Sequence, residues 1–375
     1  PEQTAALLAW YGPQDAEFRK LQKEERDHSA TAPKPNKVKA LVASEGLPAI
    51  KLHTQAEAEF LKDTHFLRRG DPGQKSGVAQ VSFLQTLMPD AEAQSKWVKP
   101  APAGSRLSYQ RTAFANWLTD PDGAGQLVAR VIVNRLWAQH FGRGLVATVS
   151  DFGVRGEPPS HPELLDFLAR ELIRGGWKLK PIHKLIVTSA AYRQSSARDD
   201  AKAKADPENK LVWRVPVRRL QAEVIRDSIL AVGGRLNTAM YGPGTLSEES
   251  PRRSVYFTMK RSKLIPSLVV FDAPDGTVGV GDRPSTTVAP QALHLMNNPQ
   301  VRAAAKGLAK RALPAGDDAA VVTRAYRLAL GRAPTAAELA DAAAFLRGTT
   351  GPAREAAAAD FCQVLFCLNE FLYAE

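Results

Sequence analysis

Beyond residue 105, apolar positions recur at a spacing close to 3.6 residues, which predicts a mainly helical domain. The clearest case is residues 126–140, where Leu127, Val131 and Leu136 alternate with arginine and glutamine. The same spacing predicts helices over residues 111–118, 160–174, 182–191, 217–232, 288–296, 299–312, 318–330, 335–347 and 354–372.

Local signals mark where several of these helices begin and end. Ser160 and Glu163, and Thr335 and Glu338, have the spacing of a capping box. Paired glycines follow two of the predicted helices, at residues 175–176 and 233–234. Between the helices, residues 254–259 and 268–271 are rich in β-branched and aromatic side chains and are predicted to be strands.

The first 105 residues have a different pattern, rich in Pro, Lys, Gln and Ala and short of long periodic stretches. They predict helices over residues 3–10 and 15–28, strands over 37–44 and 65–69 that we expect to pair, and a linker at 100–104. The fold class is therefore mainly α. A compact multi-helix domain with a small β element occupies residues 106–375, and an irregular α+β connector segment occupies residues 1–105.

Composition narrows the class of protein further. The chain has 375 residues, 44% hydrophobic and 24% charged, which excludes a disordered or collagen-like protein. Its two cysteines, Cys362 and Cys367, cannot build a disulfide framework and are expected to be buried free thiols. No apolar run approaches the roughly 18–20 residues that cross a bilayer, so we expect no transmembrane segment.

The net charge of +11 raises nucleic acid as a partner, but the charge is spread along the chain. No helix-turn-helix, RNA-recognition or zinc-finger pattern accompanies it, and we expect no nucleic-acid binding. An acidic or glycan ligand would suit such a surface equally well. The chain also lacks Cys-x-x-Cys-His, the P-loop and His-Glu-x-x-His, so we expect no cofactor and no metal within it.

The densest polar cluster lies between residues 134 and 161, in a glycine-containing loop between two strong helices. His140 and His161 are candidate proton shuttles, Asp151 a candidate base or hydrogen-bond acceptor, and Arg143 a candidate anion-binding residue. The alternative is structural: His140 would end a helix, His161 would bond locally beside a cap, and Asp151 would stabilise a turn.

A second cluster begins with Arg252, Arg253, Lys260 and Lys263 and continues to a hydroxyl-rich run before a helix. Here Asp272 is a further candidate base, and Arg283, Thr286 and Thr287 are candidates for binding an anionic or carbohydrate-like ligand at the helix start. The alternative is that Asp272 and Arg283 form internal ion pairs while Thr286 caps the helix. A catalytic site, if present, is expected where the 140–161 loop meets residues 272–287.

Several long motifs then carry a family resemblance. Residues 134–146 read Asn-Arg-Leu-Trp-Ala-Gln-His-Phe-Gly-Arg-Gly-Leu-Val, and residues 160–166 read Ser-His-Pro-Glu-Leu-Leu-Asp. With further segments at 150–153, 185–195, 218–220, 223–227, 271–274, 290–293 and 369–371, they resemble the C-terminal domain of unknown function of the planctomycete-type cytochrome c proteins, over about residues 105–375. Residues 65–72 resemble the connector that precedes that domain.

The resemblance implies an exported multidomain protein, located in the periplasm, in the cell envelope or outside the cell. It implies partner domains upstream in the same polypeptide, one of them able to bind haem c. Because the chain starts at Pro1 without Met, either a signal peptide has been removed or the chain is a piece of a longer polypeptide, and we favour the second interpretation.

Two functional hypotheses follow from the residues and the resemblance. In the first, the domain is part of an oxidoreductase that acts on extracellular carbohydrate-type substrates. In the second, it is a noncatalytic structural or interaction module that binds a partner protein or a glycan. Convergence of Asp151, His161, Asp272 and Arg283 on one accessible cleft would favour a catalytic site, and mutual pairing in separate places would favour a module.

Overall fold

A computed structural model describes Leu7 and residues 10–32, 65–79, 82–90, 92–104, 108–279 and 281–374. The chain divides into two compact units, Pro1–Ala43 and Ser44–Glu375. In the first unit, helix α1 (Ala16–Ala30) begins where the Asp15 carboxylate accepts the Phe18 N–H at 2.8 Å. This confirms the helix predicted at residues 15–28. The strand predicted at 37–44, and most of the helix predicted at 3–10, lie outside the described residues.

The second unit is mainly helical, as the sequence predicts. Its described helices are α2 (Gln110–Thr119), α3 (Gly125–Phe141), α4 (Pro162–Arg174), α5 (Leu179–Val187), α6 (Ala190–Arg193), α7 (Asp200–Ala205), α8 (Ala222–Val232), α9 (Pro266–Val270), α10 (Ala289–Asn297), α11 (Pro299–Ala312), α12 (Asp318–Leu330), α13 (Ala336–Leu346), α14 (Gly351–Cys367) and α15 (Asn369–Leu372). Its described strands are β1 (His65–Leu67), β2 (Lys75–Val78), β3 (Arg218–Arg219) and β4 (Tyr373–Ala374). No described helix combines the length and the apolar character that a membrane crossing requires.

The described strands form two small antiparallel sheets. Strand β1 pairs with β2 across a short turn, with His65 opposite Val78, so the described partner of the strand predicted at 65–69 lies ten residues further along. Strand β3 pairs with β4, which follows the last helix and is more than 150 residues away along the chain. The second sheet therefore ties the end of the domain to its middle.

The connector packs against the first helices of the domain. Phe83 and Trp97 are buried together with Trp117 of α2, and the Phe83 and Trp117 rings stack 5.1 Å apart. The Trp97 indole N–H donates to the Asp120 carboxylate at 2.9 Å, just beyond α2. The domain boundary at residue 105 stays a prediction, but the described residues on its two sides share this small core.

Two larger cores hold the helical domain. One lies between α3, α4 and α5 and is built from fully buried aliphatic side chains such as Val133, Leu168 and Ile182. The other lies between α8 and α11–α14. In this second core α8 and α11 meet at backbone distance, since a Cβ on Gly307 would overlap the carbonyl oxygen of Gly233. Helix α8 is thereby fixed on a rigid base.

Helices with strong local signals lie close to their predicted bounds, and some predictions are wrong. The capping box at Thr335 and Glu338 is confirmed. The one at Ser160 is not formed, because the helix begins at Pro162 and His161 is the N-cap; the Ser160 hydroxyl bonds to the His161 ring at 3.0 Å instead. The strand predicted at 254–259 is a 3-10 turn followed by extended chain. The strand predicted at 268–271 falls largely in helix α9.

The other differences concern helix starts and breaks. The helix predicted over 217–232 begins only at Ala222, because residues 218–219 pair with β4. The helix predicted over 182–191 is divided into α5 and α6, and Ser189 caps the second piece by accepting the Tyr192 N–H. The helix predicted over 354–372 is likewise divided, with Leu368 in extended conformation between α14 and α15.

A candidate ligand-binding cleft beside helix α8

The longest described segment without a helix or strand joins α8 to α9, residues 233–265. It contains a 3-10 turn at Ser254–Tyr256 and two isolated β-bridges, which pair Asn237 with Arg252 and Thr245 with Phe257. Loops beyond roughly 12–15 residues are uncommon in compact domains unless they are functional. Arg226 of α8 fixes this loop by donating to the carbonyls of Glu248 and Arg252, both at 3.1 Å, and to that of Ser250. One guanidinium thus fixes three separate points of the loop.

Contacts of Arg252 and Asp227 further stabilise the conformation of this loop. The Arg252 guanidinium lies 3.8 Å from the centre of the Tyr256 ring and donates to the Pro243 carbonyl at 3.0 Å. Asp227, one residue after Arg226, accepts the backbone N–H and the hydroxyl of Ser254 at 2.8 and 2.7 Å. The loop is therefore held in shape by polar contacts, not by regular secondary structure.

A cleft of about 650 Å³ lies between α8, this loop and α9. Its lining is mostly apolar and includes Val224, Phe257, Leu264, Ile265, Leu268 and Pro274. Concave sites with an apolar lining and a few polar groups are the usual form of a binding site. Several lining side chains, Val224, Val255 and Met259 among them, are also strongly exposed.

Charged side chains stand around the cleft. Glu223 forms an ion pair with Arg283 at 2.8 Å, and Asp227 lies 3.8 Å from Arg253. Lys260 and Lys263 also line the cleft, and neither has an ion-pair partner among the described residues. Four cations against two carboxylates leave a net positive rim that attracts negatively charged groups.

Asp272, a candidate base from the sequence, is used elsewhere. It forms a 2.6 Å ion pair with Arg219, whose side chain is only 5% exposed. It also accepts the N–H and the hydroxyl of Thr286, both at 2.8 Å. Burial alone would raise the pKa of Asp272, but the bonds from Thr286 and Arg219 outweigh it and hold the pKa below its usual range. The carboxylate thus stays charged as the centre of a structural cluster.

The two candidate threonines belong to the same neighbourhood. Thr286 bonds to Asp272, and Thr287 lies within hydrogen-bond distance of the Tyr373 hydroxyl at 3.2 Å. Neither caps a helix, because Val288 is the N-cap of α10. Of the second sequence cluster, Arg253, Lys260, Lys263 and Arg283 are brought together at the cleft.

The candidates of the 140–161 loop bond to separate partners. Asp151 accepts the Gly153 N–H at 2.8 Å, as a turn carboxylate does, and His161 bonds to Ser160. Arg143 lies between Glu157 and Glu208, at 3.5 and 3.1 Å. It also borders a smaller cavity of about 250 Å³ over Trp137 and Phe141.

The 140–161 loop and residues 272–287 approach each other, as expected, but their candidate residues do not form one site. A Cβ on Gly281 would overlap the Ser150 side chain, so residues 272–287 do approach the 140–161 loop there. The functional groups of Asp151, His161, Asp272 and Arg283, however, bond to different neighbours, and only Arg283 borders the α8 cleft. Their proposed catalytic roles stay predictions.

Two residues of the cleft were not singled out as site candidates by the sequence. Glu223 and Asp227 are four residues apart on α8, a spacing that places both carboxylates on one helix face. The four-residue spacing is the sequence signal for these two carboxylates. It is common on solvent-exposed helices, so it does not indicate a site unless the loop that faces α8 is known.

The described residues offer no grouping of three or more His, Cys, Asp and Glu side chains that would hold a metal ion. The two cysteines do not suit haem attachment either. They lie five positions apart in α14, and burial of Cys362 raises its thiol pKa to about 12. They are free thiols, as predicted, with Cys362 fully in the core and Cys367 half-buried.

His140 gives the domain a pH dependence. Its Nε2 lies 2.8 Å from Nδ1 of His183, and burial, the His183 ring and Arg218 lower the pKa of His140. Below its ordinary value of about 6.5 the unfolded chain therefore binds more protons than the folded chain, so the free energy of unfolding falls as pH falls through that value.

Urea unfolding between about pH 7.5 and about pH 5 measures this dependence. We expect His140→Gln, which does not titrate and retains an amide for His183, to make the slope of stability against pH shallower than in the wild type. Parallel curves for the two proteins would contradict this role of His140.

Comparison with known proteins places the chain in a family. Residues 110–346 match the family described as PSD1, protein of unknown function (DUF1553). No curated protein and no solved structure matches the chain. The match covers more than half of the sequence and agrees with the resemblance carried by the motifs at 134–166 and beyond. The chain therefore belongs to the PSD1 (DUF1553) family, a domain of unknown function associated with planctomycete cytochrome c proteins.

Proposed function

We propose that this domain is a noncatalytic interaction module whose α8 cleft binds an acidic, apolar segment of a partner protein. The observation that carries the proposal is the cleft itself, about 650 Å³ with a largely aliphatic lining and Lys260 and Lys263 at its edge without ion-pair partners among the described residues. Apolar side chains of the partner would fill the lining, and its carboxylates would meet the lysines.

A noncatalytic role is supported by the state of the candidate acid and base groups. Asp272 is paired with the buried Arg219 side chain, and Asp151 bonds to its own turn. Glu223 and Asp227, the carboxylates of the cleft, are each bonded to an arginine or to the loop backbone. Catalytic carboxylates need access to substrate and a pKa matched to proton transfer, and these groups are committed to holding the fold.

A polypeptide suits this cleft better than a glycan. Sugar rings stack on open aromatic faces, and the aromatic ring in the described lining is Phe257. The Arg226 guanidinium lies 4.6 Å from the centre of that ring and covers one face. The rest of the apolar lining is Val, Leu, Ile, Met, Ala and Pro, which matches the apolar side chains of an amphipathic segment.

The family association supports a wider setting for this module. We place it in an exported polypeptide, in the periplasm, the cell envelope or the medium, downstream of a haem c domain. Any redox chemistry on extracellular carbohydrate would then belong to the whole polypeptide and its haem, with this domain supplying the partner contact. Cell fractionation of the source organism with an antibody against the domain tests the location, and detection only in the cytoplasm would refute it.

Panning random 12-residue peptides displayed on phage against the purified chain tests the proposed function. We expect the enriched peptides to combine Asp or Glu with Leu, Ile or Phe. The double variant Lys260→Glu and Lys263→Glu reverses the rim charge and should weaken binding of an enriched peptide by about tenfold or more, since each reversed charge adds repulsion.

The matched control is the double variant Lys178→Glu and Lys180→Glu, which makes the same change of charge on exposed lysines that do not line the cleft. It should bind the peptides as the wild type does. Enrichment without acidic residues, or equal loss of binding in both double variants, would overturn the proposal.

A further inference from the structure

A second concave surface lies where the connector meets the first helices of the domain. This aromatic groove has a volume of about 980 Å³ and runs between the end of β2, residues 82–99 and helices α2 and α3. Its described lining includes Phe83, Leu84, Val98, Lys99, Tyr109, Gln110, Phe114, Trp117 and Leu127. The groove is separate from the α8 cleft, and no described lining residue is shared between them.

Stacked aromatic rings form one side of the groove. Phe83 and Trp117 stack 5.1 Å apart and nearly parallel, at 7°. Phe114 continues the array, 5.8 Å from Trp117 and 6.4 Å from Phe83, each at 29°. Trp97 contacts the Phe83 ring edge-on at 6.0 Å. The inner rings are buried, so they hold the outer ring in one orientation.

The array ends in an open aromatic surface. Phe114 is 49% exposed and Tyr109, at the start of α2, is 38% exposed, while Phe83, Trp97 and Trp117 are buried. A ring held from beneath loses little conformational entropy when a ligand stacks on it. Rigid aromatic side chains with exposed surface are therefore favourable anchors for a flat apolar ligand face.

Polar groups accompany these rings. The Tyr109 hydroxyl, the Gln110 side-chain amide and the Lys99 ammonium have no hydrogen-bond or ion-pair partner within the part of the chain that the structure describes. Gln94 stands at the edge, where its amide oxygen accepts the Ser82 hydroxyl at 3.0 Å. Among the described lining residues Lys99 is the charged one, so the groove complements a ligand with hydroxyl groups and a negatively charged group.

We propose that the aromatic groove binds an oligosaccharide that contains uronic-acid units. The C–H face of a sugar ring, which is weakly positive, lies on the Phe114 ring, whose face carries negative charge density. Sugar hydroxyls bond to Tyr109 and Gln110, and a uronate carboxylate meets Lys99. The volume, within the usual range of about 300–1,000 Å³ for ligand sites, accommodates a few sugar units.

This site differs from the α8 cleft in the property that selects a saccharide. The α8 cleft has aliphatic walls and a guanidinium over its aromatic ring, whereas the groove combines an exposed ring with hydroxyl and amide groups. The proposal does not depend on the peptide-binding proposal, because the two sites share no described lining residue and are tested with different probes.

Titration calorimetry of the purified chain with short oligogalacturonates, and with neutral xylo-oligosaccharides for comparison, tests the proposal. We expect dissociation constants between about 10 μM and about 1 mM for the acidic probe, with weaker binding of the neutral one. Trp97 and Trp117 lie beneath the groove, so their fluorescence should change in parallel.

Three variants test the site. Phe114→Ala should weaken binding about tenfold or more. Lys99→Gln should remove the preference for the acidic probe and leave binding of the neutral one unchanged. Tyr109→Phe, which removes only a hydroxyl and leaves the fold intact, should weaken both about threefold, in line with one lost hydrogen bond.

Phe345→Ala is the matched control, because Phe345 is 55% exposed and lies outside the groove. It should bind both probes as the wild type does. Absence of binding by either probe at millimolar concentration, unchanged binding by Phe114→Ala, or an equal loss in Phe345→Ala would overturn the proposal.

Discussion

Replacing Asp272 by asparagine is expected to reduce the free energy of unfolding by about 3–5 kcal/mol, because it leaves Arg219 as a buried cation without its counter-charge. The Arg219 side chain is 5% exposed, and two of its guanidinium nitrogens, Nε and Nη1, already have no partner in the described structure. Asparagine keeps the shape of the side chain and tolerates the left-handed backbone that Asp272 adopts, with φ at 64°. The loss therefore reports the charge together with the one hydrogen-bond acceptor that the amide nitrogen replaces.

A double-mutant cycle measured by urea unfolding checks this. Adding Arg219→Met to Asp272→Asn removes the uncompensated cation and should restore a large part of the lost stability. The control is Asp360→Asn, which disrupts the 2.5 Å pair with Arg302 on the surface, where Asp360 is 54% exposed. Its cost should be at most about 1 kcal/mol. Equal costs for the two single variants would contradict a buried structural pair.

Asn134→Ala is expected to cost about 3 kcal/mol of stability. Asn134 is completely buried in α3, and its side chain donates to the Val146 carbonyl and accepts the Val146 N–H, both at 2.9 Å. Val146 is itself only 3% exposed, so alanine would leave two buried backbone groups unpaired as well as a cavity.

The matched control for this variant is Asn116→Ala in the exposed part of α2. It should change stability by less than about 0.5 kcal/mol, since it removes no buried partner and alanine favours helix. Chemical denaturation of both variants decides the matter. A cost below about 1 kcal/mol for Asn134→Ala would mean that water replaces the amide in the loop.

The sequence predicted best those helices whose start and end signals are local. Pro299 and Thr335 mark helix starts that need only their own neighbours, and α11 and α13 lie within one residue of the predicted bounds. The start of α8 was misplaced because Arg218 and Arg219 pair with a strand at the other end of the domain. No local pattern contains that contact.

The predicted strand at 254–259 failed for a related reason. Its valine, tyrosine and phenylalanine favour extended structure, and Phe257 does form an isolated β-bridge with Thr245. Ser254, at the start of the segment, bonds instead to Arg226 and Asp227 of α8. Side-chain hydrogen bonds to distant backbone groups override a weak β propensity and fold the chain into a 3-10 turn. The apolar side chains of this segment, Val255, Phe257 and Met259, line the cleft and do not belong to a sheet.

The candidate site was partly predictable from charge. The sequence places cations between residues 253 and 263 and again at Arg283, and the structure brings four of them to the same cleft: Arg253, Lys260, Lys263 and Arg283. Its shape could not be predicted, because the apolar lining comes from α8, the loop and α9 together. The histidines and Asp151 are site candidates by their chemistry alone. Asp151 and His161 bond to immediate neighbours, and His140 bonds to His183 on helix α5.

The burial of Cys362 has a consequence for a protein proposed to work outside the cytoplasm. With a pKa of about 12, hardly any of its thiol is ionised near neutral pH, and thiol–disulfide exchange proceeds through the thiolate. An oxidising compartment therefore cannot easily cross-link the domain to neighbouring proteins through Cys362 while α14 stays packed. The rate at which an alkylating reagent modifies Cys362 therefore measures how often α14 leaves the core. This thiol is a native reporter of local unfolding.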